Sequence, residues 1–220
     1  MELTWFGHSC FRLRGREATV ITDPPSPSLG YNPGRQQADI VTISHLHPGH
    51  NNTDFCTGAC RVISGPGEYE AAGVFVTGVP AFHDAQEGKE RGKNTIFAIA
   101  IDDVTVGHLG DLGHLLTAQM IEALGNVDVL LVPVGGQNTI DASKAAELVA
   151  AMEVKLVVPM HYRTSAEHTA ALAPVERFFK EMGRAESAPL AKLNVSRSSL
   201  PSETQVVVLE PLGNRGGAGR

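Results

Sequence analysis

The segment His45-Leu46-His47-Pro48-Gly49-His50 carries three imidazoles within six positions, directly after the apolar run Ile40-Val41-Thr42-Ile43-Ser44. Residues two apart on an extended chain point the same way, so His45 and His47 can share an ion while His50 reaches across a turn to a second one. Several adjacent half-polar rings add little to a core, whereas imidazole nitrogens are common metal ligands. The segment predicts a metal site at the end of a strand; a solvated polar loop is the alternative.

The composition is that of one globular domain. The chain has 220 residues, of which 42% are hydrophobic and 19% charged, enough to bury a large core. Its apolar runs are shorter than the roughly 20 residues of a membrane span, and its first residues lack the pattern of a signal peptide. We therefore expect a single cytoplasmic domain over residues 1–210, no membrane contact, and a disordered glycine-rich tail over residues 211–220.

The net charge limits the kinds of partner that the sequence favours, and the cysteine spacing limits the roles of the thiols. The formal net charge is -6 and no stretch concentrates Lys and Arg, which disfavours nucleic acid as a partner and favours a small-molecule substrate. The sequence is also compatible with a homo-oligomer. Cys56 and Cys60 are spaced more widely than a Cys-x-x-Cys pair. Together with Cys10 they are interpreted as idle thiols, with a Cys56–Cys60 disulfide as the alternative.

Apolar, β-branched runs predict a chain rich in sheet. Asp102-Asp103 lies between two of these runs and predicts a tight hairpin turn. The predicted strands are Thr19–Thr22, Ile40–Ile43, Val74–Val76, Ile96–Ile101, Val104–Val106, Val127–Val132, Leu156–Val158 and Val206–Leu209.

Helical periodicity is confined to the second half of the chain. Ala145, Leu148, Val149 and Met152 follow the i, i+3, i+4, i+7 spacing, with Asp141 placed as an N-cap. A second helix is expected between Pro174 and Gly183 and a third over residues 116–124. Strands interleaved with such helices indicate an α/β fold in which helices cover sheets.

Four apolar strands each run into a residue that can hold a metal. These residues are His45, His83, Asp111 and His161. Because strand ends are rigid, they can hold ligands within the small tolerance of a coordination sphere.

The proposed first ion takes His45, His47 and His83 as ligands, with one position left for water. His50, His161 and Asp111 can hold a second ion, Asp111 bridging the two. Two ions roughly 3.5–4 Å apart share a water and clamp the oxygens of a substrate in hydrolysis. Nitrogen-rich ligation favours zinc, while the carboxylate also admits manganese or iron.

The ordered residues resemble the metallo-β-lactamase superfamily, which uses a His-x-His-x-Asp-His motif after a strand, followed by a further His, an Asp and a final His. The matching residues in this sequence are His45, His47, His50, His83, Asp111 and His161. Trp5-Phe6-Gly7-His8-Ser9, Thr22-Asp23-Pro24, Gly110-Asp111-Leu112-Gly113-His114 and Pro159-Met160-His161-Tyr162 resemble the branch of uncharacterised metal-dependent hydrolases that is similar to ascorbate-6-phosphate lactonases. The resemblance spans residues 1–209 and implies a four-layer αββα sandwich with the metals at one edge.

One position departs from the motif. Gly49 stands where the family has an Asp that ligates the second metal, and glycine has no side chain to replace it. The sequence therefore predicts one or two ions per chain, with the second site weakened. With a single ion, Asp111 is freer to act as a general base.

Four further residues are candidates for supporting or substrate-contacting roles. Asp23 either accepts a hydrogen bond from a ligating histidine or forms an Asp-Pro turn. His8 either contacts substrate or plays a structural part, and His114 is placed near the mouth of the site. Arg91 is either an anion-reading residue or a solvated loop charge.

These observations predict a metal-dependent hydrolase in which a metal-bound hydroxide cleaves an ester, lactone or phosphodiester bond of a small anionic substrate. Asp111 and His161 are the proposed catalytic residues. One alternative, suggested by Gly49, is a metal-binding sensor or scaffold domain with impaired catalysis. Another is a nuclease of the same superfamily, which needs a basic groove that this acidic chain does not indicate.

Overall fold

The computed structural model describes residues 1–31 and 33–212. Within these ranges the chain forms strands, α-helices and short 3-10 helices. The strands are β1 (Glu2–Gly7), β2 (Cys10–Arg14), β3 (Thr19–Thr22), β4 (Gln36–Gln37), β5 (Ile40–Ile43), β6 (Cys56–Thr57), β7 (Arg61–Ser64), β8 (Gly67–Ala71), β9 (Val74–Phe82), β10 (Lys93–Ile101), β11 (Val104–His108), β12 (Val129–Pro133), β13 (Leu156–Met160), β14 (Leu193–Asn194) and β15 (Gln205–Val206). The helices are α1 (Ala118–Leu124), α2 (Ala142–Met152) and α3 (Val175–Glu181), and the 3-10 helices are Pro27–Leu29, Thr53–Phe55, Glu167–Thr169 and Arg197–Ser199.

Two mixed sheets make up most of the fold. The first has the strand order β14-β1-β2-β3-β5-β7 and the second β15-β13-β12-β11-β10-β9-β8. A separate parallel pair joins β4 to β6. The turn between β10 and β11 has positive φ at both Asp102 and Asp103, the geometry that suits a two-residue hairpin, so this predicted turn is confirmed.

The two sheets pack face to face over one apolar core. Successive residues of a strand point to opposite faces, so Val20 of β3 and Ile40 of β5 belong to the core between the sheets, while Ile21 and Val41 face outward. Phe97 of β10 lies in the same core and is fully buried. The sandwich arrangement follows from this alternation.

Helices cover the outer face of the second sheet. The side chain of Asp141 accepts a hydrogen bond from Lys144 N at 3.0 Å and starts α2. Ala145, Leu148 and Val149 then bury one helical face in the core. The N-cap of α3 is Pro174, as its predicted boundary requires. None of the helices in the described residues is long and apolar enough to cross a membrane.

The outer face of the first sheet is covered by the β4–β6 pair and the 3-10 helix of residues 53–55. Phe6 and Val41 of the sheet pack there with Phe55 and Cys56. Prolines at positions 24, 25, 27 and 33 lack the N–H that an α-helix needs. The predicted α/β sandwich is confirmed, and the layer on this side is built from 3-10 turns.

Three local expectations differ from the structure or lie outside it. The predicted strand Val206–Leu209 is reduced to β15, Gln205–Val206. Cys10, Cys56 and Cys60 are free thiols, so the alternative of a disulfide is wrong. Leu212 N donates to Trp5 O at 2.7 Å, which anchors the start of the predicted tail; residues 213–220 lie outside the described residues.

Candidate metal centre

Three strands of each sheet, parallel to one another within that sheet, bring their C-terminal ends to one edge of the sandwich. In the first sheet these are β1, β3 and β5, and in the second β9, β11 and β13. Each is followed within three residues by a polar side chain that is buried at this edge. These side chains are His8, Asp23, His45, His83, Asp111 and His161.

His45, His47 and His83 form one cluster at this edge. One nitrogen from each ring lies within 4.8 Å of the others. The ring centroids are 4.6 Å apart for His45 and His47, 4.8 Å for His45 and His83, and 5.1 Å for His47 and His83. The set expected from the sequence for the first ion is thus brought together, with two buried rings and one exposed ring.

Hydrogen bonds orient His45 through its neighbour. Ser44 Oγ donates to Asp23 Oδ2, so its oxygen accepts from the Nδ1–H of His45 at 2.9 Å. The proton is therefore on Nδ1, and the lone pair is on Nε2. His45 Nε2 is buried and has no hydrogen-bond partner among the described residues. A buried lone pair without a donor is what a metal ligand presents before the ion is added.

His83 is oriented in the same way. Its Nδ1–H donates to the backbone carbonyl of Asn138 at 3.0 Å, because a carbonyl oxygen can only accept. Its Nε2 is turned toward Asp111 Oδ2 at 3.3 Å. Asn138 was not singled out from the sequence, since a backbone carbonyl leaves no signal in residue type.

Asp111 lies at the centre of the site. Its Oδ2 is 3.2 Å from His50 Nε2, 3.3 Å from His83 Nε2, 3.4 Å from His161 Nε2 and 4.0 Å from His45 Nε2. Oδ1 accepts a longer hydrogen bond from Ser9 Oγ at 3.4 Å. One carboxylate oxygen thus faces imidazoles of both expected ligand sets, as a bridging ligand would.

The carboxylate is buried at a site rich in imidazoles. Burial disfavours its charge, but His161 and His50 outweigh this and hold the pKa of Asp111 well below its ordinary value. Asp111 N donates to Asn94 Oδ1 at 3.1 Å, and Asn94 Nδ2 donates to Leu109 O at 3.0 Å. Asn94 therefore fixes the turn after β11 that presents the carboxylate.

The imidazoles differ in charge according to their neighbours. Burial opposes the charge of His50, but Asp111 and Asp23 outweigh it and raise the pKa of His50 to about 10. Burial, with His50 nearby, lowers the pKa of His45 to about 3. The two carboxylates thus favour a positive charge at this place. In the absence of an ion, the protonated imidazole of His50 supplies that charge.

His8 joins the second half of the site. His8, His50 and Asp111 are buried and present ligand atoms within 4.8 Å of one another. His8 Nε2 lies 3.1 Å from His50 Nε2, and the ring centroids of His8 and His161 are 4.5 Å apart. The sequence predicted a substrate contact or a structural part for His8 and no ligand role, because Gly7-His8-Ser9 carries no ligand spacing.

Backbone strain is concentrated at the same edge. His8, Asp23 and His161 have φ of 54°, 38° and 50°, the left-handed region that residues other than glycine seldom adopt. Each of the three follows the end of a strand and turns its side chain into the site. Strain of this kind persists where surrounding contacts fix it, and it is concentrated at functional sites.

His114 is held by the backbone at the end of β9. Phe82 N donates to His114 Nε2 at 3.1 Å, and His114 Nδ1 donates to Leu115 O at 2.8 Å. Both ring nitrogens are engaged with backbone, so His114 supports the end of β9 beside His83 and has no nitrogen free for a substrate. Of the supporting and substrate-contacting roles expected of His114, this geometry favours the supporting one.

Arg91 lines a cavity of about 530 Å³ that opens beside the site. Its walls include His45, His47, Lys93 and the apolar side chains of Leu46 and Pro66. The cationic side chains of Arg91 and Lys93 thus line the same cavity as the imidazoles of His45 and His47. Lys93 lies two residues after Arg91, at the first position of β10.

Asp84 holds the loop that carries Arg91. Its Oδ1 accepts from Gln86 N at 2.8 Å and Gly88 N at 2.9 Å, and its Oδ2 from Glu90 N at 3.1 Å and Arg91 N at 2.8 Å. Burial disfavours the charge, but these four N–H groups lower the pKa of Asp84 to about 2. Sequence reasoning missed this residue, which looks like one more loop aspartate.

Two facing sheets with His and Asp side chains at the C-terminal edge define the metallo-β-lactamase class of fold and site. The beta-lactamase superfamily domain matches residues 2–161. A UPF0173 metal-dependent hydrolase of Methanoculleus marisnigri is 32% identical over 223 residues, covering 90% of this chain and 96% of that protein. The chain belongs to the metallo-β-lactamase superfamily and, within it, to this family of metal-dependent hydrolases.

Other relatives agree with this assignment. A UPF0173 metal-dependent hydrolase of Archaeoglobus fulgidus is 30% identical, covering 74% of this chain and 84% of that protein. The crystal structure of a candidate zinc-dependent hydrolase of the superfamily from Thermotoga maritima has a TM-score of 0.79 and 39% identity, covering 94% of this chain and 97% of that one. A metallo hydrolase of Ignicoccus hospitalis, at 23% identity, 96% and 95% coverage and a TM-score of 0.67, shares the fold.

Proposed function

We propose that this metal-dependent hydrolase cleaves an ester, lactone or phosphodiester bond in a small anionic molecule. The observation that carries the proposal is the position of Asp111 Oδ2, within 4.0 Å of Nε2 atoms of four histidines. The residues proposed to hold one or two divalent ions are His45, His47, His50, His83, Asp111 and His161.

The donor set fits such ions. His45, whose pKa is lowered to about 3, presents an unprotonated Nε2, and Asp111 is ionised. The bond from His83 Nδ1 to the Asn138 carbonyl turns Nε2 of that ring toward the site. Imidazole nitrogens with one carboxylate favour zinc and also suit manganese or iron. Bound divalent ions supply a hydroxide near neutral pH and stabilise the charge that develops on a carbonyl or phosphoryl oxygen.

Asp111 is proposed to hold and orient the reacting groups. A carboxylate whose pKa is well below its ordinary value is a weak proton acceptor. This favours the bridging role over the role of general base. His161 is proposed to act through the same contact, because its Nε2 faces Asp111 Oδ2 at 3.4 Å while its buried Nδ1 lies on the other side of the ring.

Substrate class is inferred from the cavity. Arg91 and Lys93 stand beside His45 and His47, where a guanidinium and an ammonium can bind phosphate or carboxylate oxygens. The volume of about 530 Å³ suits a small molecule. The cavity therefore supports an anionic lactone or phosphodiester substrate.

The test is a panel of phosphorylated and neutral lactones, esters and phosphodiesters, assayed with protein loaded with zinc, manganese or iron. We expect turnover of an anionic member, abolished in His47→Ala and retained in His168→Ala, an exposed histidine outside the ligand set. Metal content is measured on the same samples. Bound metal without turnover of any substrate would contradict the proposal in favour of a sensor or scaffold, and cleavage of oligonucleotides alone would favour a nuclease.

A further inference from the structure

We propose that His8 is a ligand of the second ion and takes the place that Gly49 leaves empty. The inference rests on the proposed function, since it concerns the same centre. It changes the second ligand set from His50, His161 and Asp111 to one that also contains His8. The number of ligands at the second ion is then the same as in the family motif. The ligand that the motif has at position 49, after β5, is replaced by His8, which follows β1.

The space at Gly49 is the first argument. A Cβ built on Gly49 would lie 2.8 Å from His8 Nε2. Real Cβ atoms essentially never approach another heavy atom that closely, so a side chain at position 49 would require the imidazole of His8 to move away from this position. The ring nitrogen of His8 therefore occupies the volume into which an aspartate at position 49 would begin to project.

The distances to the neighbouring ligands are the second argument. His8 Nε2 is 3.1 Å from His50 Nε2. Two nitrogens bound at about 2.0–2.1 Å to one tetrahedral zinc ion are about 3.3 Å apart. His50 Nδ1 donates to Asp23 Oδ2 at 2.8 Å, so a neutral His50 presents its Nε2 lone pair toward His8. Both rings therefore direct nitrogens at one point.

The backbone holds His8 in this position. His8 has φ of 54° at the end of β1, and its carbonyl oxygen accepts from Trp5 Nε1 at 3.1 Å and from His161 N at 3.3 Å. The side chain is 9% exposed, and its Nδ1 has no partner among the described residues. The ring is thus packed at the site, and no residue in the described chain claims its remaining nitrogen.

The exchange of ligand alters the charge of the site. An imidazole contributes no negative charge, whereas an aspartate contributes one. A second site built from three imidazoles and a shared carboxylate favours zinc or cobalt over manganese, because the harder ion prefers oxygen ligands. This chain is therefore expected to discriminate against manganese at its second site.

The experiment compares the wild type with His8→Ala, Gly49→Asp, His8→Ala/Gly49→Asp and the control His168→Ala, whose ring lies 5.6 Å from that of His8. Zinc per chain is measured by elemental analysis after equilibration in a zinc buffer, and affinity by competition with a chelator. We expect about two ions in the wild type and the control, about one in His8→Ala, and about two in the double variant. The double variant is expected to bind manganese more tightly, relative to zinc, than the wild type.

A measurement on the unmutated protein covers the case in which His8→Ala does not fold. Long-range proton–nitrogen NMR of histidine rings, recorded during a zinc titration, is expected to shift His8 Nε2 to the range of a metal-bound nitrogen at the second equivalent. Wild-type zinc content in folded His8→Ala, or an unshifted His8 at saturation, would overturn the inference and leave the proposed function intact. Absence of any bound metal in the wild type would instead remove the proposed function.

Discussion

Asp23 accepts a hydrogen bond from the Nδ1–H of His50 at 2.8 Å, although the two residues are 27 positions apart. The same carboxylate accepts from Ser44 N at 2.7 Å and from Ser44 Oγ, which in turn accepts from His45 Nδ1. Asp23 is fully buried. One carboxylate therefore sets the proton position on a histidine of each proposed ligand set.

Substitution Asp23→Asn is expected to weaken zinc binding by about 10- to 100-fold, because the loss of a carboxylate behind a ligating imidazole releases its tautomer and orientation. Affinity is measured by competition with a chelator. Asp39→Asn is the matched control, since Asp39 also accepts a backbone N–H, from Thr19 at 2.8 Å, but is exposed and outside the site. Folded Asp23→Asn protein with the zinc affinity of the wild type would contradict this assignment of Asp23.

The positions of the strand-end residues could be predicted from sequence because the signal is local. An apolar run that stops at a histidine or aspartate marks both the strand and its end, as at His45, His83, Asp111 and His161. In this fold the strands that bear them run in the same direction within each sheet. Their convergence on one edge then follows from the topology.

The contacts that tune the site could not be read in the same way. His8 and Gly49 are far apart in the sequence, and only the packing of β1 beside the turn after β5 brings the imidazole to within 2.8 Å of a Cβ at position 49. Asn138 acts through its backbone carbonyl. Ser44 Oγ links two side chains, since it donates to Asp23 and accepts from His45. Such contacts depend on tertiary geometry, and no residue spacing encodes them.

Arg91→Ala is expected to raise KM for an anionic substrate by about tenfold to a hundredfold with kcat little changed, because a charge-assisted contact made equally in ground and transition states affects binding alone. The KM of an uncharged analogue should stay near that of the wild type. Steady-state kinetics on the two substrates measures the difference. Lys89→Ala is the control, as Lys89 is an exposed cation of the same loop; equal effects of both variants, or of Arg91→Ala on both substrates, would argue against anion recognition by Arg91.

Asp84→Asn is expected to loosen residues 85–92 without removing any of the proposed metal ligands. The two carboxylate oxygens of Asp84 together accept hydrogen bonds from four backbone N–H groups. An asparagine has only one oxygen to accept them. Hydrogen exchange of the amides of Gly88 and Arg91 should become faster, and KM for an anionic substrate should rise as the position of Arg91 loosens. Exposed Asp103 provides the control Asp103→Asn. Unchanged exchange in this loop would show that the carboxylate does not hold it.

The thiols are expected to react with iodoacetamide in an order set by burial and pKa. Burial, with Cys60 nearby, raises the pKa of Cys56 to about 12, and Cys10 is fully buried with a pKa raised well above its ordinary value. At pH 8 only about one Cys56 in ten thousand is a thiolate, and this fraction grows about tenfold per pH unit. Mass spectrometry should therefore find Cys60 alkylated first at pH 8, Cys56 increasingly labelled toward pH 10, and all three labelled in guanidinium. Labelling of Cys56 and Cys60 that begins only after a reductant is added would reveal a disulfide and contradict the free thiols of the structure.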